Sequence, residues 1–254
     1  MITILSPAKT LDFETLNSSS QFTIPQFLSE SDSLIKVLKK LSIKDISTTM
    51  KISHNLSEIN YERFHNWTSE FNLSNSKQSI FCFKGGVYIG LDVEKFSIDD
   101  LNYSQNYLRV LSGLHGVLRP LDLIKPYRLE MGTKLKTKKG KNLYDFWGEK
   151  ITRSLNDCLL KNNSKQILNL ASNEYFSSIV QNKLKASIID VKFLDLKNNV
   201  YKTISFFAKK ARGAMASFVI QNQIQNIEDL KKFNRLGYRF DVEKSQPNSL
   251  VFTR

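Results

Sequence analysis

The chain has 254 residues, of which 41% are hydrophobic and 24% are charged, and these values are ordinary for a globular protein. Its 37 Lys and Arg against 24 Asp and Glu give a net charge of +13, which favours a polyanionic partner, with nucleic acid ahead of an anionic membrane surface. A basic protein without such a partner stays an alternative. Two cysteines exclude a disulfide framework, and no apolar run or basic leader indicates a membrane span or signal peptide, so we expect a soluble, cytoplasmic protein.

The first half of the chain is predicted to combine one strand with several helices. The apolar run Ile2–Leu5 is typical of a short buried strand, and apolar residues at helical spacing predict a helix over 33–41. Further short helices are expected over 43–64. Ser97, with two acidic residues in the turn after it, is a capping signal for a helix that we expect to end at Leu111.

A glycine hairpin follows this helix and makes the region of about 103–125 a candidate helix-hairpin-helix element. Gly113 and Gly116 bracket Leu114 and His115, and a second short helix is expected before the next proline. Glycine leaves its amide group uncovered and permits a positive φ, so a phosphate can approach the main chain closely. The alternative is a capped helix followed by a solvated basic loop, and the segment alone does not decide between the two.

The second half of the chain is predicted to alternate helices with strands. The expected elements are a helix over 142–159, a strand over 166–170, a short helix from Ser172, a β-hairpin formed by 187–196 and 200–207, a helix over 208–224 and a closing hairpin formed by 237–242 and 250–253. No repeat or interdomain linker interrupts them. The fold class is therefore a mixed α/β (α+β) fold in one compact domain over residues 1–254.

The positive charge is concentrated in two segments. Residues 109–141 carry nine Lys and Arg against two acids, and residues 192–212 carry six bases against one acid. Lys209, Lys210 and Arg212 fall in the first turns of a predicted helix, where cations oppose the helix dipole unless an anion lies nearby. This distribution favours a basic patch or cleft that contacts an anion over a uniformly basic surface.

Ser6 and Lys9 form the pattern Ser-x-x-Lys at a predicted strand-to-helix junction. In serine acyl enzymes, this spacing brings a lysine amine beneath the serine hydroxyl and activates it. The alternatives are that Ser6 caps a helix with Pro7 in its first turn, or that Ser6 and Lys9 bind a phosphate there. Lys84, in a glycine-rich aromatic stretch, is a further candidate for a phosphate or catalytic role.

Metal and cofactor sites are not predicted. His54, His65 and His115 have spacings that match no zinc or iron motif, and no cysteine pair joins them. Cys82 and Cys158 each lie among apolar residues, so buried, inert thiols are expected rather than a redox pair. A third functional hypothesis is an iron-sequestering protein, but the sequence lacks a cluster of metal-ligating residues.

Six segments of the chain carry a family resemblance: residues 6–13, 83–91, 108–132, 143–148, 169–176 and 205–213, of which 108–132 is highly specific. Taken together, they closely resemble the bacterial YaaA family of peroxide-stress-resistance proteins. The resemblance implies a single α/β domain with a positively charged cleft and a helix-hairpin-helix element that binds duplex DNA. It also implies a role in surviving hydrogen peroxide, associated with lower free iron and less iron-driven DNA damage. The common hairpin has one residue between its glycines where this chain has two.

The predicted function is binding of double-stranded DNA, mainly through its phosphates and with little sequence preference, because no helix carries a row of side chains for base edges. The DNA-binding candidates are Gly113, Leu114, His115, Gly116, Arg119, Lys125, Arg128, Lys134, Lys209, Lys210 and Arg212. The alternative function is an enzyme that uses Ser6 and Lys9 on a small anionic substrate.

Overall fold

The structure of the protein is a computed structural model that describes residues 1–15 and 19–254. The strands are β1 (Ile2–Leu5), β2 (Thr10–Leu11), β3 (Lys77–Gln78), β4 (Phe83–Lys84), β5 (Leu108–Ser112), β6 (Gly116–Leu118), β7 (Leu123–Ile124), β8 (Gln166–Asn169), β9 (Ser187–Lys197), β10 (Val200–Lys202), β11 (Arg239–Phe240) and β12 (Ser249–Thr253). The α-helices are α1 (Leu28–Leu38), α2 (Ile43–Met50), α3 (His54–His65), α4 (Ser79–Cys82), α5 (Gly86–Leu91), α6 (Ile98–Tyr107), α7 (Leu143–Trp147), α8 (Lys150–Lys161), α9 (Asn173–Phe176), α10 (Ser205–Gln221) and α11 (Ile227–Leu230).

A mixed sheet with the strand order β11-β12-β9-β8-β1-β5-β6 forms the centre of the single α/β domain. The five strands from β12 to β5 run parallel, and an antiparallel strand closes each end. All residues of β1 and β5 are buried. Strands of a parallel sheet are covered on both faces, so continuous apolar runs such as Ile2–Leu5 fit its middle. The predicted fold class and this first strand are confirmed.

The strand order creates a crevice at the end of the sheet where the parallel strands have their carboxyl ends. β1 pairs with β5 on one side and with β8 on the other, and both neighbours are parallel to it. The chain therefore leaves β1 towards one side of the sheet and returns later on the other side. In open α/β sheets, ligands bind outside the carboxyl ends of the strands at such a switch point. Ser6 follows β1 directly at this end of the sheet, and Ser172 lies just beyond β8.

Glycines bring helices α5 and α10 together backbone to backbone. A methyl group at Gly213 would overlap the carbonyl oxygen of Val87, and one at Gly90 would overlap the carbonyl oxygen of Lys210. The Cβ of Lys209 would lie 3.1 Å from a Cβ at Gly86. Because no side chain separates the two helices here, the basic first turns of α10 are fixed against the glycine-rich segment that follows Lys84.

The predicted helix-hairpin-helix over about 103–125 is wrong. Helix α6 ends at Tyr107, and the next residues form β5 and β6, which pair antiparallel with Ser112 opposite Gly116. The segment 108–111 contains three apolar residues and Arg109, and it fits a buried strand as well as a helix end. Its burial between β1 and β6 decides for the strand. Gly116 has φ +67°, and a methyl group on it would press on the Trp147 ring, so this glycine serves a tight turn under a buried side chain.

Two other predicted helices also differ from the structure. The helix expected over 142–159 is divided into α7 and α8 at Gly148, whose φ of +49° ends the first of them. No helix follows Ser6, because residues 10–11 form β2 and pair with β4, so the expected helix cap is wrong. The two hairpins of the second half are confirmed, but the strand expected over 200–207 ends at Lys202, and helix α10 already begins at Ser205. Within the described ranges, no helix is both long and apolar enough to cross a membrane.

Candidate functional site

A pocket of about 440 Å³ opens at the carboxyl ends of β1 and β8. Its charged lining residues are Lys9, Lys84, Arg128, Lys209, Arg212, Glu130 and Glu174. Five cations against two carboxylates make this lining positive. A larger cavity of about 670 Å³ lies on the other side of Lys84, but three acids and two lysines line it. The smaller pocket is therefore the better site for an anion.

Ser6 and Ser172 join the two strand ends at the floor of this pocket. The Ser172 amide donates to Ser6 Oγ at 2.9 Å, and the two hydroxyls are 3.2 Å apart. The Tyr88 hydroxyl donates to the Ser6 carbonyl at 3.1 Å. These bonds tie the segments after β1 and β8 to Tyr88 of the glycine-rich helix α5.

Glu130 holds two of the pocket cations. Its carboxylate contacts Lys9 Nζ at 2.7 Å and an Arg128 terminal nitrogen at 2.9 Å. Lys9 therefore directs its amine towards Glu130, and no hydrogen bond joins it to Ser6 among the described residues. An activated serine needs a base within hydrogen-bond reach. Lys9 is thus not in the position that would allow it to activate Ser6 for acyl transfer.

Asp12 binds the third cation from outside the pocket. Its carboxylate contacts Lys84 Nζ at 2.5 Å, and the ion pair closes the short β2–β4 ladder in which Thr10 lies opposite Lys84. The hydrogen bond from Lys84 is the main cause that holds the pKa of Asp12 far below its usual value, and Asp12 in turn raises the pKa of Lys84. Lys84 is therefore a bound, partly neutralised cation at the pocket rim.

Lys209 and Arg212 are the pocket cations that no acid neutralises. Neither side chain has an ion pair or hydrogen bond within the ranges 1–15 and 19–254 that the structure describes. Arg212 is half-buried, and its burial lowers the pKa of the guanidinium group. Lys210, their neighbour on α10, instead lines a separate surface depression with Lys95 and Arg235.

The hairpin residues predicted to bind DNA are all buried. Gly113, Leu114, His115 and Gly116 lie in the core, and the Trp147 indole donates to the Gly113 carbonyl at 2.9 Å. His115 is fully enclosed, with Ser31 Oγ 3.1 Å from Nδ1. Burial lowers the pKa of His115 to about 3. These main-chain amides are inaccessible to a phosphate in this structure.

Two of the predicted DNA-contact cations are held by internal partners. Arg119 contacts the buried Asp122 at 2.9 Å and donates to the carbonyl of Ile24 at 2.8 Å. Lys125 is itself buried, and its amine donates to the carbonyl and hydroxyl oxygens of Thr68. Both side chains act as structural links between the segment after β6 and earlier parts of the chain.

Lys134 belongs to a run of exposed lysines that leaves the pocket rim. The Gly132 amide, at the start of this run, donates to Glu174 Oε1 at 2.9 Å. The exposed lysines are Lys134, Lys136, Lys138, Lys139 and Lys141, and we call this set the lysine loop. None of their amines has an ion pair in the described parts of the chain, although Lys139 lies over the Phe146 ring.

The possible metal ligands and the two cysteines of the described residues lie apart from one another or are buried. Within residues 1–15 and 19–254, no group of three His, Cys, Asp or Glu side chains could hold a metal ion. Cys82 and Cys158 are free and buried, as expected, and burial raises the pKa of both thiols. A thiol with a raised pKa forms little thiolate, so neither cysteine is suited to react.

Glu130 and Ser172 are site residues that the sequence reading missed. Ser172 was expected only as a helix start, and Glu130 only as one of two acids in a basic segment. The available signal was that Ser6 and Ser172 each come at or just beyond the end of a buried strand.

The pocket joins residues of five of the sequence segments that carry the family resemblance. The family model described as peroxide stress protein YaaA matches residues 1–244, and the chain belongs to this family.

Proposed function

We propose that this peroxide stress protein binds duplex DNA, mainly through the phosphate backbone and with little sequence preference. Binding of this kind would place the protein on the molecule that iron-driven oxidation damages, and so help to limit that damage. The observation that carries the proposal is the lysine loop, in which exposed amines without acidic partners follow one another beside a positive pocket. Phosphate contacts of this type supply most of the affinity of non-specific DNA binding.

The lysine loop is built to display its side chains. Leu135 is 2% exposed and anchors the loop between Lys134 and Lys136, which therefore point away from the core. Further along, Thr137 and Gly140 exchange backbone hydrogen bonds and close a tight turn. A fixed turn loses less conformational entropy than a free loop when its lysines bind phosphates.

A lysine substitution experiment tests the proposal. Fluorescence anisotropy with a duplex of about 30 base pairs measures affinity for the triple variant Lys134→Gln, Lys136→Gln, Lys138→Gln. Loss of three phosphate contacts should weaken binding by about tenfold or more at moderate salt and reduce the salt slope by about 0.9 per contact. Two duplexes of unrelated sequence should bind equally well.

The matched control removes three exposed lysines near the amino ends of the parallel strands, opposite to the pocket. Lys161, Lys165 and Lys185 lie near the amino ends of β8 and β9, away from the pocket, and their amines have no ion pair in the described part of the chain. If both triple variants lose the same affinity and the same salt slope, DNA binding reflects net charge alone. No binding of wild type at low salt would reject the proposal altogether.

The enzyme alternative is less well supported by the geometry. The Ser6 hydroxyl is bonded to Ser172 and the Lys9 amine to Glu130, so the two groups do not form a nucleophile and its base. Treatment with a fluorophosphonate probe separates the alternatives. We expect no labelling at Ser6, and stoichiometric labelling that disappears in Ser6→Ala would restore the enzyme reading.

A further inference from the structure

We propose that the pocket at the ends of β1 and β8 binds a small phosphomonoester, with the phosphate between Arg212 and Lys209. This inference does not rest on DNA binding, which we place on the lysine loop. Its basis is the charge balance of the pocket, the state of its two arginines and the surface that remains for the rest of a ligand.

The charge balance leaves room for a dianion. The pocket lining has five cations and two carboxylates, and Asp12 neutralises one more cation from outside. Two positive charges remain, and the cations without an acidic partner in the described residues are Lys209 and Arg212. A phosphate monoester carries nearly two negative charges at neutral pH. Its charge therefore matches the uncompensated part of the lining.

Arg212 lacks the partner that a half-buried guanidinium normally has. Taking a charge out of water costs free energy unless an opposite charge or hydrogen-bond acceptors replace the solvent, and burial does lower the pKa of this group. The planar guanidinium fork fits two phosphate oxygens at once. The close packing of Gly213 on Val87 fixes the α10 backbone next to Arg212, so the fork lies on a rigid element.

Arg128 adds a second incompletely bonded group to the lining. Its Nε is buried and has no hydrogen-bond partner, although its terminal nitrogen pairs with Glu130. Glu130 therefore satisfies this guanidinium group only in part, and a phosphate beside its terminal nitrogens would supply further acceptors.

The pocket is larger than a phosphate ion requires. Its volume of about 440 Å³ lies within the range of small-molecule sites, and the rings of Tyr88, Tyr127 and Tyr175 belong to its lining. Each of these tyrosines is at most 7% exposed, and burial raises the pKa of all three phenols. Their phenols are therefore neutral, and the small part of each ring that faces the pocket adds uncharged surface to the lining. We assign this part to the uncharged organic body that carries the phosphate.

Calorimetric titration tests this assignment with two probes, ribose 5-phosphate and adenosine 5′-monophosphate. Inorganic phosphate and adenosine serve as the two halves of a ligand. We expect at least one phosphomonoester to bind with a Kd below about 1 mM, and each half to bind at least about tenfold more weakly. Absence of binding of both phosphomonoesters at about 10 mM would overturn the proposal. Equal affinity for inorganic phosphate would overturn the assignment of an organic body.

Variants identify the phosphate contact. Arg212→Gln should reduce the affinity for the phosphomonoester by about tenfold or more, and Arg212→Lys should recover part of it. Arg239→Gln, at the far end of the sheet, removes an exposed arginine and should leave the affinity unchanged. Equal binding by wild type and a folded Arg212→Gln variant would overturn the proposal. DNA affinity is measured in parallel. Because we place DNA binding on the lysine loop, a failure of the DNA-binding proposal would not bear on the phosphomonoester site.

Discussion

Ser172 donates its backbone amide to the side-chain oxygen of Ser6 across the carboxyl ends of two neighbouring parallel strands. The two serines are 166 residues apart in the chain. The bond is a direct consequence of the strand order, in which β8 returns to the side of β1 opposite to β5. It fixes the floor of the pocket whose walls carry the cations.

Ser6→Ala should destabilise the protein by about 1–2 kcal/mol, because it leaves the amide of Ser172 without its acceptor. Ser172→Ala is the matched control, since its amide can still donate to Ser6 Oγ and only the weaker hydroxyl contact is lost. Urea unfolding of both variants measures the difference. If Ser172→Ala costs as much as Ser6→Ala, the amide bond does not support the site.

Gly213→Ala should destabilise the protein by about 3 kcal/mol or more, because the new methyl group overlaps the carbonyl oxygen of Val87 and neither backbone can move freely. Gly86→Ala provides the comparison. Its methyl group would lie 3.1 Å from the Cβ of Lys209, a contact that a shift of a few tenths of an ångström relieves, whereas the overlap at Gly213 is with a backbone carbonyl oxygen; we therefore expect stability within about 1 kcal/mol of wild type. Similar melting temperatures for both variants would contradict the backbone contact between α5 and α10.

Stability should fall as the pH decreases below the ordinary pKa of histidine, because burial lowers the pKa of His115 to about 3 in the folded protein. Above about pH 6.5 both states hold a neutral ring, whereas below it only the unfolded state binds a proton. The loss then approaches about 1.4 kcal/mol per pH unit and continues towards pH 3. Denaturant unfolding between pH 7 and 5 gives this slope.

Two histidine variants separate the contribution of His115 from that of other groups. His115→Gln cannot gain a proton, so its slope between pH 6.5 and 5 should flatten even though its stability at pH 7 is lower. His54→Gln, which changes an exposed ring, should retain the wild-type slope. A wild-type slope in His115→Gln would show that carboxylates or other histidines cause the acid loss.

Local sequence signals predicted elements well where one structural reading dominated. The strand Ile2–Leu5 and the hairpin of β9 and β10 follow from an apolar run and from the polar turn at 197–199. The prediction of a helix end at 108–111 was wrong because these four apolar or long side chains fit a helix end and a buried strand equally well. Only the strands that pair with the segment decide between the two. The glycines at 113 and 116 indicated a special backbone, but not whether a phosphate or a Trp147 ring would lie against it.

The candidate site was predicted in its parts and not as a whole. Lys9, Lys84, Arg128, Lys209 and Arg212 were all expected to contact an anion, and the structure brings them to one pocket. Their acidic partners were not foreseen, because ion pairs between distant segments depend on strand order and on the angle between helices. That order places β8 beside β1, and no local pattern in the chain specifies it.

Arg119→Ala separates the structural role of this arginine from the DNA-contact role first expected for it. Its guanidinium group contacts the buried Asp122, so its loss should destabilise the protein by about 2 kcal/mol. DNA affinity should stay within about twofold of wild type at a temperature where the variant is folded, because the lysine loop is intact. Arg239→Ala, which removes an exposed arginine, should change neither quantity. A large loss of DNA affinity and salt slope in Arg119→Ala, with unchanged unfolding, would return the DNA contact to the segment after β6.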